Sequence, residues 1–149
     1  MNNTNENSDT NDLQLASMKS RVKAFIIDDL SITLLVVIIL WDKISASNGE
    51  LISTMLIMNE AFIQIMVLKF LYQSFFIWYY GATIGKLIVK IKVIDFDNFG
   101  KVTLLSSCLR SAGRILSEAI FYIGFILAYY GDSRQTFHDR FGKTLVVDA

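Results

Sequence analysis

A chain of 149 residues with 53% hydrophobic and 13% aromatic side chains, 19% charged ones and a mean hydropathy of +0.44 carries more apolar surface than a water-soluble domain of that length buries. Its 14 basic side chains balance 14 carboxylates, and a net charge of zero excludes nucleic acid as a partner, because phosphate binding needs a basic surface. The single cysteine, Cys108, excludes an internal disulfide and a cysteine metal cluster, and reads as a small apolar residue in a packed helix.

Residues 1–18 are rich in Asn, Thr, Asp and Ser and cannot bury enough surface to offset chain entropy, so a disordered polar tail is expected there. Residues 19–149 are expected to form one membrane domain, a polytopic and mainly α-helical one with about three transmembrane segments. The first span, about 24–41, follows Lys19, Arg21 and Lys23 and closes on Trp41, an interfacial aromatic. Asp28 and Asp29 within it argue against a cleaved signal peptide. The second, 61–80, has the ~20 residues that a ~30 Å hydrocarbon core requires and ends in Trp78, Tyr79 and Tyr80. The third, about 112–130, holds Glu118 and Gly124 and ends in Tyr129 and Tyr130; an earlier start near Leu104 would make it amphipathic, with Arg110 and Arg114 on one face.

Lysines and arginines set the orientation. The N-terminal flank has three, the loop 42–60 only Lys43, and the connector 81–111 has Lys86, Lys90, Lys92, Lys101 and Arg110, with Arg114 just beyond it. A multi-pass protein of the cell membrane is therefore expected, with a cytoplasmic N-terminus and connector. The tail 131–149 breaks the pattern: three full spans put it outside, yet it carries Arg134, Arg140 and Lys143. Either the charge rule loses here or the third segment turns back at Gly124. In the connector, LIVKIKVID over 87–95 alternates lysines with β-branched residues, and Asp97-Asn98-Phe99-Gly100 reads as a turn into 101–105, which predicts a small cytoplasmic β-hairpin. Thr144 to Asp148 is β-branched too, and joins that hairpin if both lie on one side of the membrane.

Three separated motifs carry a family likeness. Arg21-Val22-Lys23-Ala24-Phe25-Ile26-Ile27-Asp28 puts an arginine at the mouth of the first helix and an aspartate inside it; Gly81-Ala82-Thr83-Ile84-Gly85-Lys86 is followed by Ile91-Lys92-Val93-Ile94-Asp95; and Arg134-Gln135-Thr136-Phe137-His138-Asp139-Arg140 is followed by Thr144-Leu145-Val146-Val147. In order and spacing they resemble the RDD family of membrane proteins, over residues 21–147. Phe141-Gly142-Lys143 departs from it, where small residues are more usual. The resemblance implies a membrane protein of largely undefined activity, with transport of an ion or small solute suggested for some members.

The residues have a physical reading of their own. Arg21 and Asp28 are two helical turns apart and share a face, about 10 Å apart along the axis, whereas Asp29 points elsewhere. A carboxylate in hydrocarbon costs about 3 kcal/mol or more, so Asp28 must face protein or water. Lys69, in mid-span, demands a partner among Asp28, Asp29 and Glu118. Arg21, Asp28, Asp29, Lys69 and Glu118 are thus the candidates for binding or transport, and Asp28 and Lys69 are expected in one polar network. Gly81, Thr83, Gly85, Lys86, Arg110, Arg114, His138 and Asp139 are the cytoplasmic or structural set. The spacing Gly81–Lys86 misses a phosphate loop, since one residue too few separates the glycines and Leu87 follows the lysine. His138 beside Asp139 suits capping or loop tethering better than general-base chemistry. No nucleophile–base pair or ligand cluster is visible, so neither an enzyme nor a cofactor or metal is expected. The partners expected are the lipid bilayer, a small ion or solute, and further copies of the chain, because three spans enclose little. The alternative to transport is a membrane scaffold or assembly factor acting through the hairpin and tail.

Overall fold

The computed structural model describes residues 13–120 and 135–149. Helix α1 (Met18–Ile39) begins where the Ser17 side chain accepts a hydrogen bond from the Ser20 amide. Its buried positions, Arg21, Ala24, Asp28, Ile32 and Val36, recur every three or four residues and form one inward stripe. A break at Leu40 leads into α2 (Trp41–Ala46); a turn with Asn48 and Gly49 at positive φ reverses the chain, and α3 (Leu51–Glu60) runs through Ala61 into α4 (Phe62–Tyr80). The expected loop 42–60 is thus mostly helical. Ile44, Ile57 and Met58 sustain the helical spacing across it and pack on Ile32, Val36, Leu40 and Ala61.

Gly81 ends α4 in the left-handed conformation at φ +72°, which glycine adopts without strain. Thr83 then opens the short α5 (Ile84–Val89), followed by β1 (Ile91–Asp95). After an irregular turn, Thr103 caps α6 (Leu104–Ala119) by accepting from the Ser106 amide. Helix α7 (Phe137–Phe141) and β2 (Thr144–Asp148) complete the described chain.

The two strands pair antiparallel, Ile91 opposite Asp148 and Asp95 opposite Thr144. This corrects the expected hairpin: residues 101–103 form no strand and α6 starts at Leu104. The Asp95 side chain captures the amides of Asp97 and Asn98, and Gly100 turns its carbonyl to the Asp95 amide, so the chain is wrapped tightly rather than returned in register. The partner of β1 comes from the tail instead. A second correction concerns the N-terminus, where order begins before residue 18: Leu15 bridges to Val147, the Ala16 amide donates to the Val146 carbonyl, and Ala16 is fully buried. The rest of the expected tail, residues 1–12, lies outside the described residues.

Two apolar clusters flank this small sheet, one joining Ala16, Ala24, Ile77, Ile91, Val93, Val102 and Val146, the other Ile94, Leu145 and Val147. Elsewhere the molecule is inverted relative to a water-soluble domain. Leu104, Leu105, Leu109 and Leu116 of α6 are exposed, while Ser107, Arg110, Ser111, Arg114 and Ser117 point inward. On α4, Phe62, Ile63, Val67, Leu71 and Phe75 face out and Gln73 and Ser74 face in. One helix among the described residues, Phe62–Tyr80, is long and apolar enough to cross a membrane. Helix α1 is longer, with 22 residues, but carries Lys19, Arg21, Lys23, Asp28 and Asp29. The third expected span, 112–130, coincides with α6 as far as Ala119; Gly124, Tyr129, Tyr130 and Arg134 lie outside the described residues.

Ile91 and Asp148 face each other as a non-hydrogen-bonded pair, for which a Cα separation of about 4.5 Å is usual. Cysteines at both positions, with Cys108→Ser, should oxidise to an intramolecular bridge detectable by gel shift after mild oxidation. A chain that stays uncrosslinked while remaining folded would refute the β1–β2 register.

Candidate functional site

Acidic and basic side chains from α1, α4, α5, α6 and α7 converge in two clusters. The first is built around Asp28, which is fully buried. Its Oδ1 accepts from the Tyr72 hydroxyl at 2.9 Å and the Gly85 amide at 2.8 Å; its Oδ2 accepts from the Thr83 hydroxyl at 2.6 Å and lies 3.9 Å from the Arg114 guanidinium. Both oxygens are therefore satisfied, chiefly by uncharged donors. Gly85 is obligatory here: a Cβ would stand 2.1 Å from the Ala24 carbonyl oxygen and 2.9 Å from the Asp28 carboxyl, so any side chain would drive α5 off α1.

Arg114 continues the chain of contacts. Its guanidinium stacks 4.8 Å from the Phe25 ring centroid, and its Nε donates to Glu118 one turn along α6 at 3.2 Å. Glu118 also meets Lys69 at 3.1 Å, and Lys69 meets Asp29 at 3.2 Å. Lys69 does not touch Asp28; Arg114 and Glu118 link the two. Asp29, on another face from Asp28, reaches this end of the network alone. The trio is less sealed than Asp28, with side-chain exposures of 43% for Asp29, 22% for Lys69 and 13% for Glu118.

The second cluster is built around Asp139, also fully buried. It pairs with Arg21 at 2.7 Å and with Arg110, and its Oδ2 accepts from the Thr136 amide at 3.0 Å while the Thr136 hydroxyl accepts from the Asp139 amide. That reciprocal capping box starts α7. The face shared by Arg21 and Asp28 thus serves two carboxylate centres, not one ion pair. Arg110 donates further to the Thr144 hydroxyl at 2.8 Å, and Arg21 to the Val146 carbonyl at 3.3 Å, which ties the cluster to β2. Close approach of α6 to α7 depends on Gly113, whose Cβ position is 3.3 Å from His138, and on Gly142, 2.8 Å from the Arg110 side chain. His138 is buried beside Gly113 at this contact, whereas the capping role belongs to Asp139.

Burial disfavours a charged Asp139, but Arg110 and Arg21 outweigh it and hold the carboxyl well below its ordinary range. Burial pushes the His138 imidazole well below its usual value, and Arg110, Arg114 and Lys86 reinforce that against the opposing Asp139. Burial likewise lowers the Arg110 guanidinium from its ordinary range, against the pull of Asp139. Lys86 is lowered from 10.5 to about 7, first by burial and then by Arg110 and Arg114, which Asp28 and Asp139 offset only in part. Among the described residues its ammonium donates one hydrogen bond, to the Thr83 hydroxyl at 3.4 Å. The two clusters face each other across a small cavity lined by Arg21, Phe25, Lys86, Arg110, Arg114, Thr136, His138, Asp139 and Val146.

All three sequence motifs therefore meet at one place. The RDD family model matches residues 15–143, most of the chain. The chain belongs to the RDD family. The RDD match takes in α1, the Gly81–Lys86 connector and the Thr136–Asp139 cap, which supply both carboxylate centres. A stretch of 77 residues, half of the chain, is 31% identical to a segment of the uncharacterized protein RP437 of Rickettsia prowazekii (strain Madrid E), of which it covers 42%. The match thus spans less than half of that relative's own length. No solved structure matches. RDD membership and the apolar α4 together fit a membrane location.

Tyr72, Phe25 and Thr144 also belong to the site, though sequence spacing does not single them out. Tyr72 follows Lys69 by one turn and is lost among the aromatics of α4; the Thr136-x-x-Asp139 spacing, by contrast, carries a capping signal that names the carboxylate.

A base whose pKa is depressed on folding destabilises the protein fully below the folded value, and the penalty disappears as pH rises through the unfolded one. For Lys86 the window runs from about 7 to 10.5. At low salt Lys86→Met should raise the melting temperature in detergent at pH 6, and the advantage should shrink steadily towards pH 10. An advantage independent of pH would mean that Lys86 is not a buried, titrating ammonium.

Proposed function

We propose that this RDD-family protein is a multi-pass protein of the cell membrane that moves a small ion through the Asp29–Lys69–Glu118 end of its charge network. The observation that carries this reading is the contrast between the two carboxylates of α1. Asp28 is dry and fully bonded, as a carboxylate that locks helices together should be. Asp29 shares Lys69 with Glu118 at partly exposed positions on α1, α4 and α6. Two carboxylates bridged by one ammonium form a place where an incoming cation or proton can replace the lysine's charge, and ionisable residues at membrane depth are characteristic of such pathways.

The topology proposed alongside places the N-terminal flank, the connector and the C-terminal strand in the cytoplasm. Residues 14–16 bond to β2 and β2 to β1, so these three segments share one side. Lys19, Lys23, Lys90, Lys92, Lys101, Arg140 and Lys143 lie near that end, against Lys43 at the other. With Cys108 removed, a cysteine at Ser47 should react with an impermeant thiol reagent applied to intact cells and one at Asn98 should not. The opposite pattern would invert the topology.

Transport is tested by ion flux into proteoliposomes. Lys69→Met and Glu118→Gln should reduce flux to near background with little change in melting temperature, whereas Asp28→Asn should lower the melting temperature. Wild-type vesicles no more permeable than empty ones would exclude transport and favour the scaffold reading, in which the dry Asp28 lock and the β1–β2 sheet present a cytoplasmic surface to a protein partner.

A further inference from the structure

Among the described residues, the cavity between the two clusters is lined by more cations than carboxylates. Arg21, Lys86, Arg110 and Arg114 line it. The carboxylates in contact with them are Asp139, which serves Arg21 and Arg110, and Asp28 and Glu118, which both serve Arg114. Glu118 is shared in turn with Lys69. Among the described residues Lys86 is in ion-pair contact with no carboxylate, although only 6% of it is exposed. Among the described residues Lys86 is therefore the cation of the cavity lining that has no carboxylate in contact.

A second observation points to the same place. The Arg21 side chain is 5% exposed and lines the cavity, yet its Nε has no hydrogen-bond partner among the described residues. A buried N–H donor of a guanidinium that goes unused costs more than an uncharged one, so native proteins rarely leave it without an acceptor. The space has a volume of about 20 Å³, enough for one or two waters and too little for an organic ligand. The depressed Lys86 ammonium fits the same account, since burial and two guanidiniums disfavour its charge and Asp28 and Asp139 offset them only in part.

We infer that this cavity is a binding site for one small monovalent inorganic anion of halide size, held by the Lys86 ammonium and the Arg21 Nε between α1, α5 and α6. Such an ion supplies the missing charge and the missing acceptor together. A phosphate, free or on a lipid headgroup, has the same attraction to guanidinium and ammonium groups but brings more charge and more bulk than the cavity matches. The site does not depend on transport through Asp29, Lys69 and Glu118. Its occupant binds as a fixed counter-ion that cements α1 to α5 and α6.

Thermal unfolding of the purified protein in detergent tests this, with chloride or bromide replacing gluconate at constant ionic strength. Ligand that binds only the folded state raises the melting temperature along a saturation curve. Chloride and bromide should both do so in the wild type. Lys86→Met, which removes a buried charge and should fold, should weaken the apparent halide affinity roughly tenfold or more, the scale of a lost hydrogen bond to a charged group. Lys92→Met, an exposed neighbour on β1, should leave it unchanged. Crystals grown with bromide should show its anomalous signal in the cavity. No saturable halide effect in the wild type would overturn the site, as would an equal effect in both variants, the mark of an adventitious ion only. A larger response to phosphate or to anionic lipid than to halide would overturn it as well, in favour of an oxyanion.

Discussion

The Asp139 carboxylate is the constraint on which the rest of the molecule depends. It is completely buried, and a buried charge persists only if paired and hydrogen-bonded. Its partners come from three regions of the chain: Arg21 on α1, Arg110 on α6 and the Thr136 amide at the mouth of α7. One carboxylate thereby fixes the position of α1 against α6 and the start of α7. Arg110 then reaches on to Thr144 and Arg21 to Val146, so β2 is delivered to β1 by the same contacts. Removing a partner from such a centre strands the others, which is why buried pairs cost much to break even where they add little to net stability.

Asp28 solves the same problem by different means. It borrows neutral donors from Tyr72, Thr83 and Gly85, with Arg114 at a distance. Neutral donors fix a carboxylate without importing a full opposing charge, and the glycine at 85 lets the α5 backbone itself come close enough to serve. Two centres, one ionic and one largely dipolar, therefore hold α1 at two points two turns apart. The serines and arginines of α6 face these centres and its leucines face outward, an arrangement that suits a solvent as apolar as leucine itself.

Much of this arrangement is legible in the amino-acid sequence. The shared face of Arg21 and Asp28 follows from helical spacing, the demand of Lys69 for carboxylates from the cost of charge in hydrocarbon, and the apolar stretch of α4 from its length. What spacing does not supply is pairing across the chain: that Arg21 answers to Asp139 rather than Asp28, and Lys69 to Asp29 and Glu118, depends on how helices rotate against each other. The hairpin fails for a related reason. Alternation identifies a strand but not its neighbour, and the local turn at residues 97–100 looks sufficient while Asp95 bends it out of register. The helical continuation through residues 42–60 is concealed by its polar residues, Asp42, Lys43, Ser45 and Glu50 among them.

Arg21 and its carboxylate are 118 residues apart. A ribosome building from the N-terminus therefore exposes the arginine of α1 long before the aspartate that neutralises it exists. Until then Arg21 has every reason to remain solvated, its long stem reaching outward. The ion pair that fixes this end of α1 closes only when α7 docks. Among the described helices, the last to be made consequently decides where the first one comes to rest.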